Sequence, residues 1–185
     1  MTDKYQPWIE YPQFWKTEAA FLSYIRGGIR RHLWAKNPVK LQFIKESRRQ
    51  IVNPNPNNRK RFPTVWGAVC ESCGKEFATK DMEVDHKTGE YSLRKVEDIQ
   101  SFVEGIVFVR MQDLALLCKP CHKSKTYAER TGMSIQDAMI EKQAIAICKL
   151  PVKEVRAWLT DRNILPDKTA PQRRKQIVEV LKSEL

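Results

Sequence analysis

The 185-residue sequence has no stretch that resembles a signal peptide and no run of about 18 apolar residues, the length that marks a membrane-spanning helix. Its five cysteines are an odd number and cannot all pair as disulfides, so a reducing compartment fits best. These absences predict a cytoplasmic protein without a membrane partner. The sequence also has no internal repeat and no low-complexity tract.

Apolar residues make up 42% of the chain, which does not suggest one large hydrophobic core. We therefore predict a modular, mostly helical α+β protein with three regions. They are a basic N-terminal helical region over 1–62, a central region of short strands and helices over 63–130 and a C-terminal helical region over 131–185.

Acidic residues are scarce relative to basic ones: 22 Asp and Glu stand against 33 Lys and Arg, giving a net charge of +11. The excess is uneven, since region 1–62 carries +9, region 63–130 carries −1 and region 131–185 carries +3. Such a balance predicts a polyanionic partner, most often nucleic acid. The alternative is a basic protein that is merely soluble.

The N-terminal region reads as two basic helices. Thr17 can cap the first, and Asn37-Pro38 can open the second, with Leu41, Ile44 and Ile51 facing inward. The segment 53–58 reads as a linker, followed by a basic triplet that either grips phosphates or is a solvated loop. The basic residues that we predict to contact nucleic acid, including two after the second cysteine pair, are Arg26, Arg30, Arg31, Arg48, Arg49, Arg59, Lys60, Arg61, Lys123 and Lys125.

The central region reads as short strands over 64–86, one short helix within 87–112, a brief strand at 114–117 and a helix from near Cys121 to about Arg130. Three helices are predicted downstream, the first capped by Ser134 and the last over roughly 171–184. The final two helices and the turn between them resemble a SAP-type DNA-binding module. The alternative is a pair of packing helices.

Two CxxC pairs, Cys70-x2-Cys73 and Cys118-x2-Cys121, are separated by 44 residues and flanked by turn-forming residues. Four thiolates in this pattern make a closed tetrahedral zinc site, which we predict to be structural. The alternative is a set of small buried cysteines, and this is how we interpret Cys148.

The segments Val84-Asp85-His86 and Leu117-Cys118-Lys119-Pro120-Cys121-His122-Lys123-Ser124-Lys125-Thr126 resemble the HNH endonucleases. The resemblance covers about residues 65–130 and extends to the freestanding members frequent in bacteriophage genomes. It implies a ββα-metal unit that enters the minor groove of DNA, and products with 5′-phosphate and 3′-hydroxyl ends. If the chain is phage-encoded, its place is the host cytoplasm.

Phosphodiester hydrolysis needs a deprotonated water and positive charge on the transition state. A neutral imidazole can accept the proton at neutral pH, so His86 is the predicted general base. Asp85 and His122 are the predicted ligands of a single catalytic Mg²⁺ or Mn²⁺.

Nine residues before His122, where the family usually has Asn, this chain has Asp113. A carboxylate accepts hydrogen bonds but cannot donate them, so Asp113 leaves two alternatives open. It accepts the other ring N–H of His86 and raises its basicity, or it draws the metal and slows the reaction. We include Asp113 among the catalytic residues.

The sequence therefore predicts a metal-dependent endonuclease acting on duplex DNA, with zinc as its structural ion. The competing hypothesis is a non-catalytic, zinc-stabilised DNA-binding or adaptor protein that partners a DNA-processing machine. An RNA-directed nuclease differs only in its substrate.

Overall fold

A computed structural model describes residues 5–89 and 91–184 of the chain, which divides into two compact units, Met1–Cys118 and Lys119–Leu185. This division differs from the predicted boundaries after residues 62 and 130. Strand pairing explains the first difference, because Arg49–Val52 pairs with Thr64–Val69 across the predicted boundary. The second arises because Lys119–Thr131 packs with the next helix within one unit.

The helices of the first unit follow the predicted capping signals. Thr17 accepts the Ala20 N–H at 3.2 Å, and Asn37 accepts the N–H groups of Val39 and Lys40 at 2.9 and 3.1 Å. A π-helical turn, Arg30–Trp34, directly follows the second helix. The α-helices are α1 (Pro7–Glu10), α2 (Glu18–Ile29), α3 (Pro38–Ser47) and α4 (Ile99–Val107).

Among the described residues of this unit, five strands form two antiparallel sheets. A three-stranded sheet has the order β1-β2-β3, and β4 pairs with β5 so that His86 lies opposite Leu114. All of β5 is buried, whereas β4 alternates between buried and more exposed positions until its last residues. The strands are β1 (Arg49–Val52), β2 (Thr64–Val69), β3 (Glu76–Ala78), β4 (Met82–His86) and β5 (Leu114–Cys118).

The second predicted basic helix is wrong in its length and its inward face. It ends at Ser47, and Ile51 is buried in β1 instead of on the helix. Pairing with β2 decides this change, because backbone hydrogen bonds to a neighbouring strand replace those of a continued helix. Leu41 is 50% exposed and so does not face inward either.

The predicted linker at 53–58 is the loop of the β1–β2 hairpin. Asn53 is buried, and its side-chain Nδ2 donates to the Phe62 carbonyl at 2.8 Å. Its backbone N–H donates to the Pro63 carbonyl at 2.9 Å. These contacts make the segment an ordered turn, with the 3₁₀ turn Pro56–Asn58 inside it.

A hydrophobic cluster joins the N-terminal helices to the segment that precedes β5. Its buried members are Leu22, Leu93, Phe102 and Ile106, and Trp34 packs against them. The 3₁₀ turn Val96–Asp98 leads into α4, as the apolar spacing in 87–112 predicted. The cluster therefore fixes α4 and the π-helical turn relative to each other.

Helices are the only regular secondary structure among the described residues of the second unit, and turns and loops connect them. Ser134 caps its second helix, accepting the Asp137 N–H at 3.0 Å, and Thr169 caps its last. The buried cluster of Ala144, Val155, Leu159 and Ile177 is its core. The helices are α5 (Lys119–Thr131), α6 (Ile135–Cys148), α7 (Val152–Thr160) and α8 (Ala170–Ser183).

The chain is thus an α+β protein, mostly helical with small antiparallel sheets, as predicted. Within residues 5–89 and 91–184, every helix is too short or too polar to cross a membrane.

Candidate metal centre and active site

The four predicted zinc ligands lie together. The Sγ atoms of Cys70, Cys73, Cys118 and Cys121 are all within 4.8 Å of one another, and three of the four residues are buried. Tetrahedral zinc with Zn–S bonds of about 2.3 Å needs sulfur–sulfur separations of about 3.8 Å, so the cluster has suitable dimensions. These cysteines form a site that can hold a metal ion such as zinc.

The first cysteine pair is built by a tight turn after β2. Gly74 has φ of +69°, a conformation that side chains disfavour, and its N–H donates to the Cys70 carbonyl at 2.9 Å. Burial alone would raise the pKa of Cys70, but N–H donors from Cys118, Cys73 and Ser72 outweigh it and lower that pKa to about 7. The Cys118 N–H of β5 and the N–H groups of the turn therefore favour the thiolate that a metal requires.

Glu71, which sequence reasoning did not single out, ties this turn to β5. Its N–H donates to the Leu116 carbonyl at 3.0 Å, and its Oε1 accepts the Leu116 N–H at 2.8 Å. The Cys118 N–H donates to the Cys70 Sγ at 3.2 Å. The position of Cys70 relative to β5 is therefore fixed by three hydrogen bonds.

His86 ends β4 beside Asp85. Its backbone N–H donates to the Asp85 Oδ1 at 3.0 Å, and the Lys87 N–H donates to the Asp113 carbonyl at 2.8 Å. The β4–β5 pairing thus continues past His86 and brings the backbone of Asp113 next to it. Two predicted catalytic residues, Asp85 and His86, are therefore adjacent on β4, and the backbone of a third, Asp113, lies beside the end of that strand.

The His86 ring has a defined hydrogen-bond partner. Its Nε2 lies 2.8 Å from the Gly105 carbonyl, which is among the last carbonyls of α4 and has no helical partner there. A carbonyl only accepts, so Nε2 carries the proton and a neutral ring has its lone pair on Nδ1. This is the form of imidazole that can accept a proton from water.

This contact corrects one expectation about Asp113. With Nε2–H donated to Gly105, a neutral His86 ring has no second N–H for a carboxylate to accept. The Asp113 side chain instead accepts the backbone N–H of Arg110 at 3.3 Å, in the 3₁₀ turn Met111–Asp113. The other alternative, that Asp113 draws a metal, stays a prediction.

Two aromatic rings flank the His86 ring. Trp34 stacks on it, with ring centroids 4.9 Å apart and planes inclined by 23°, and Tyr91 meets it edge-on at 6.1 Å. The ammonium group of Lys40 lies 4.9 Å from the Trp34 ring centroid. Burial lowers the pKa of Lys40, and the Glu83 carboxylate partly offsets this effect.

Asn37 fixes the end of α4 that carries Gly105. Besides capping α3, its Nδ2 donates to the Ile106 carbonyl at 2.8 Å, and the residue is buried. No local sequence signal marks Trp34, Gly105 or this second bond of Asn37, since each partner is distant along the chain. Tyr91 lies only five residues after His86 but belongs to no motif.

His122 lies in the first turns of α5, immediately after Cys121, and is half-buried. It belongs to the second compact unit, whereas Asp85 and His86 belong to the first. Among the described residues, a group of three or more candidate metal ligands occurs only at the four cysteines.

Several of the predicted nucleic-acid contacts are engaged within the protein. Arg26 donates to the Leu93 carbonyl, Arg49 pairs with Glu76, and Lys125 pairs with Glu129. Arg31 donates to the Gly27 carbonyl at 3.2 Å and Arg59 to the Asn53 carbonyl at 3.0 Å. Exposed positions among the rest are Arg30, Arg48, Lys60, Arg61 and Lys123.

Comparison of the chain with protein-family models, with curated proteins and with solved structures gives no match.

Proposed function

We propose that this protein is a metal-dependent endonuclease of the HNH type that hydrolyses phosphodiester bonds in duplex DNA, with His86 as the general base. The observation that carries the proposal is the hydrogen bond from His86 Nε2 to the Gly105 carbonyl. It leaves Nδ1 as a proton acceptor beside Asp85, on a strand whose partner ends in the third zinc ligand.

In this mechanism His86 Nδ1 accepts the proton of the attacking water. Orientation comes from the Gly105 carbonyl and the Trp34 ring, which hold the imidazole without competing for Nδ1. Asp85 and His122 would hold Mg²⁺ or Mn²⁺, which when bound supplies positive charge at the scissile phosphate. In this proposal β4, β5 and α5 form the ββα unit, and the cysteine cluster with zinc stabilises it.

The net charge of +11 supports a polyanionic substrate, and the exposed Arg30, Lys60 and Lys123 are its proposed phosphate contacts. Phosphate contacts of this kind position DNA without reading its sequence. The same chemistry would act on RNA, which the assay below includes as a second substrate.

The test is nicking of supercoiled plasmid by zinc-loaded protein with Mg²⁺ or Mn²⁺. Loss of the general base in His86→Ala is expected to lower the rate by roughly 10² to 10⁴-fold. The matched control is His32→Ala, since His32 is an exposed histidine of the same unit outside the site. Circular dichroism establishes that both variants fold.

Undiminished nicking by His86→Ala would exclude this mechanism. A chelator can stop the reaction by removing either zinc or the catalytic ion, so chelation alone does not distinguish them. If protein that has kept its zinc regains activity when only Mg²⁺ is added, Mg²⁺ is the catalytic ion. Labelled RNA hairpins in the same assay would reveal an RNA-directed enzyme.

A second candidate is a non-catalytic DNA-binding or adaptor protein that partners a DNA-processing protein. This candidate is favoured by Asp113, which stands where HNH endonucleases usually have Asn. Its side chain accepts a hydrogen bond from the Arg110 N–H within its own 3₁₀ turn. Salt-sensitive DNA binding without cleavage under any divalent ion would identify this candidate.

A further inference from the structure

A pocket of about 560 Å³ lies beside the β1–β2 hairpin, in the first unit. We call it the hairpin pocket. Its wall comes from the hairpin loop, from β2 and from the 3₁₀ turn Thr79–Asp81 that follows β3. Pockets for small ligands typically measure about 300–1,000 Å³, so its size suits one nucleotide. Neither His86 nor any of the clustered cysteines lines it.

Two exposed aromatic rings line the hairpin pocket. Trp66 is 49% exposed and Phe62 is 52% exposed. Large aromatic side chains that remain in water at a pocket wall offer flat apolar surfaces for stacking. Each nucleobase has a π-face, and stacking on such rings is the usual way in which proteins hold unpaired bases.

An arginine guanidinium group also lies over each of these rings. The Arg48 guanidinium lies 4.5 Å from the Trp66 ring centroid, and that of Arg61 lies 5.2 Å from the Phe62 ring centroid. Neither arginine lines the pocket, whose charged wall residues are Lys80 and Asp81. Positive charges placed beside stacking rings match a ligand that joins an aromatic base to a phosphate.

Thr79, on the wall of the hairpin pocket, has a buried hydroxyl group that makes no hydrogen bond within the protein. By contrast, Asn53 has both side-chain atoms engaged, donating to the Phe62 carbonyl and accepting the Asn55 N–H at 3.0 Å. A buried hydroxyl without a partner is rare in proteins, and a water molecule or a ligand in the pocket would complete its hydrogen bonding.

We propose that the hairpin pocket binds an unpaired base of single-stranded DNA. The base stacks on Trp66 and Phe62, its edge bonds to the Thr79 hydroxyl, and Arg48 and Arg61 face its phosphates. The ligand is single-stranded because the bases of a duplex are stacked on one another and hide their faces. This site is additional to the proposed cleavage site and does not require its chemistry.

The test measures fluorescence anisotropy of labelled 12-nucleotide strands, using the full zinc-loaded chain without added Mg²⁺ or Mn²⁺. The measurements use the His86→Ala variant, in which the proposed nuclease cannot cleave the strands. The measured affinity therefore does not depend on whether the wild-type chain is a nuclease. Oligo-dT is compared with an abasic strand of equal charge. Base stacking predicts roughly tenfold tighter binding of oligo-dT.

Trp66→Ala is expected to bring the two affinities together, and Trp66→Phe to retain a preference for oligo-dT. The matched control is Phe108→Ala, since Phe108 is a 76% exposed aromatic residue of the same unit outside the pocket. Thr79→Val keeps the shape of the side chain but removes the hydroxyl, and is expected to weaken oligo-dT binding several-fold.

Equal binding of oligo-dT and the abasic strand, or an unchanged preference in Trp66→Ala, would overturn the proposal. Tighter binding of oligo-U than of oligo-dT would overturn the assignment to DNA. Thermal melts of Trp66→Phe and Thr79→Val verify that the fold survives, so these two variants remain informative if Trp66→Ala does not fold.

Discussion

The indole ring of Trp34 stacks on the imidazole of His86, with centroids 4.9 Å apart and planes inclined by 23°. Trp34 ends the π-helical turn, and His86 ends β4. Their contact joins the basic N-terminal helices to the proposed cleavage site. It also restricts the plane of the imidazole, while the Gly105 carbonyl sets which nitrogen carries the proton.

Removing the Trp34 ring should therefore slow cleavage without abolishing it. Trp34→Ala is expected to lower the single-turnover nicking rate roughly tenfold, because a loosely held His86 imidazole spends less time in the orientation that accepts the proton of water. Trp34→Phe, which keeps a stacking ring, should retain most of the rate. Equal rates for Trp34→Ala and wild type, measured well below their melting temperatures, would contradict this role.

Gly105 must remain without a side chain. A Cβ at this position would lie 2.3 Å from the Tyr91 ring, so either the ring or α4 must move. Gly105→Ala is expected to destabilise the protein by about 1–3 kcal/mol and to disturb the carbonyl that holds His86. Urea denaturation measures the free energy of unfolding, and the nicking assay measures the disturbance.

Gly28→Ala is the control for Gly105→Ala. Gly28 also lies in a helix, but apart from the adjacent residues and the backbone of its own helix, no atom lies within 4 Å of a Cβ built there. This substitution is expected to raise stability by about 0.5–1 kcal/mol, the usual difference between Ala and Gly in a helix. A stable and fully active Gly105→Ala protein would show that the Tyr91 contact can relax.

The cysteine cluster is expected to bind one zinc ion per chain. Cys118→Ser should release the ion and lower the melting temperature sharply, because the Cys118 thiolate is one of its four ligands. Cys148→Ser is the matched control, since Cys148 is a thiol outside the cluster. Mass spectrometry measures the zinc content of each variant, and thermal melts measure its melting temperature. Zinc retained by Cys118→Ser would exclude the four-thiolate site.

Asp113→Asn is expected to increase cleavage. The side chain accepts the Arg110 N–H through Oδ2, and an amide oxygen can do the same while adding a donor. Asp98 caps an equivalent 3₁₀ turn by accepting the N–H groups of Arg94 and Lys95 at 2.8 and 3.0 Å. Asp98→Asn is therefore the matched control. Slower cleavage in Asp113→Asn but not in Asp98→Asn would show that the Asp113 carboxylate itself contributes to cleavage.

Acid should weaken the second unit through Asp137. Hydrogen bonds from Ser134 and Lys182 lower the pKa of this carboxyl group, and the Lys182 ammonium lies 2.9 Å from Oδ1. A lowered folded-state pKa contributes stability above the ordinary value of about 3.9, and this contribution is lost as the pH falls further. Melting temperatures of Asp137→Asn and wild type should differ at pH 7, and the difference should shrink as the pH falls below about 4.

Local signals determined much of this fold. The caps at Thr17, Asn37 and Ser134 each bond N–H groups two or three residues away, so residue type and position sufficed to predict them. The cysteine cluster was predicted from the two CxxC spacings. The exception is Ile51, where strand pairing replaced the expected helix.

Helix caps and CxxC pairs are encoded by neighbouring residues, so the sequence predicted most of the helices and the four cysteines of the cluster. The way in which His86 is held depends instead on residues that the fold brings together. Its ring partner is the Gly105 carbonyl, a backbone atom that every residue type carries and no motif marks. Its stacking partner, Trp34, meets it only because α2, the π-helical turn and α4 pack around a shared hydrophobic cluster.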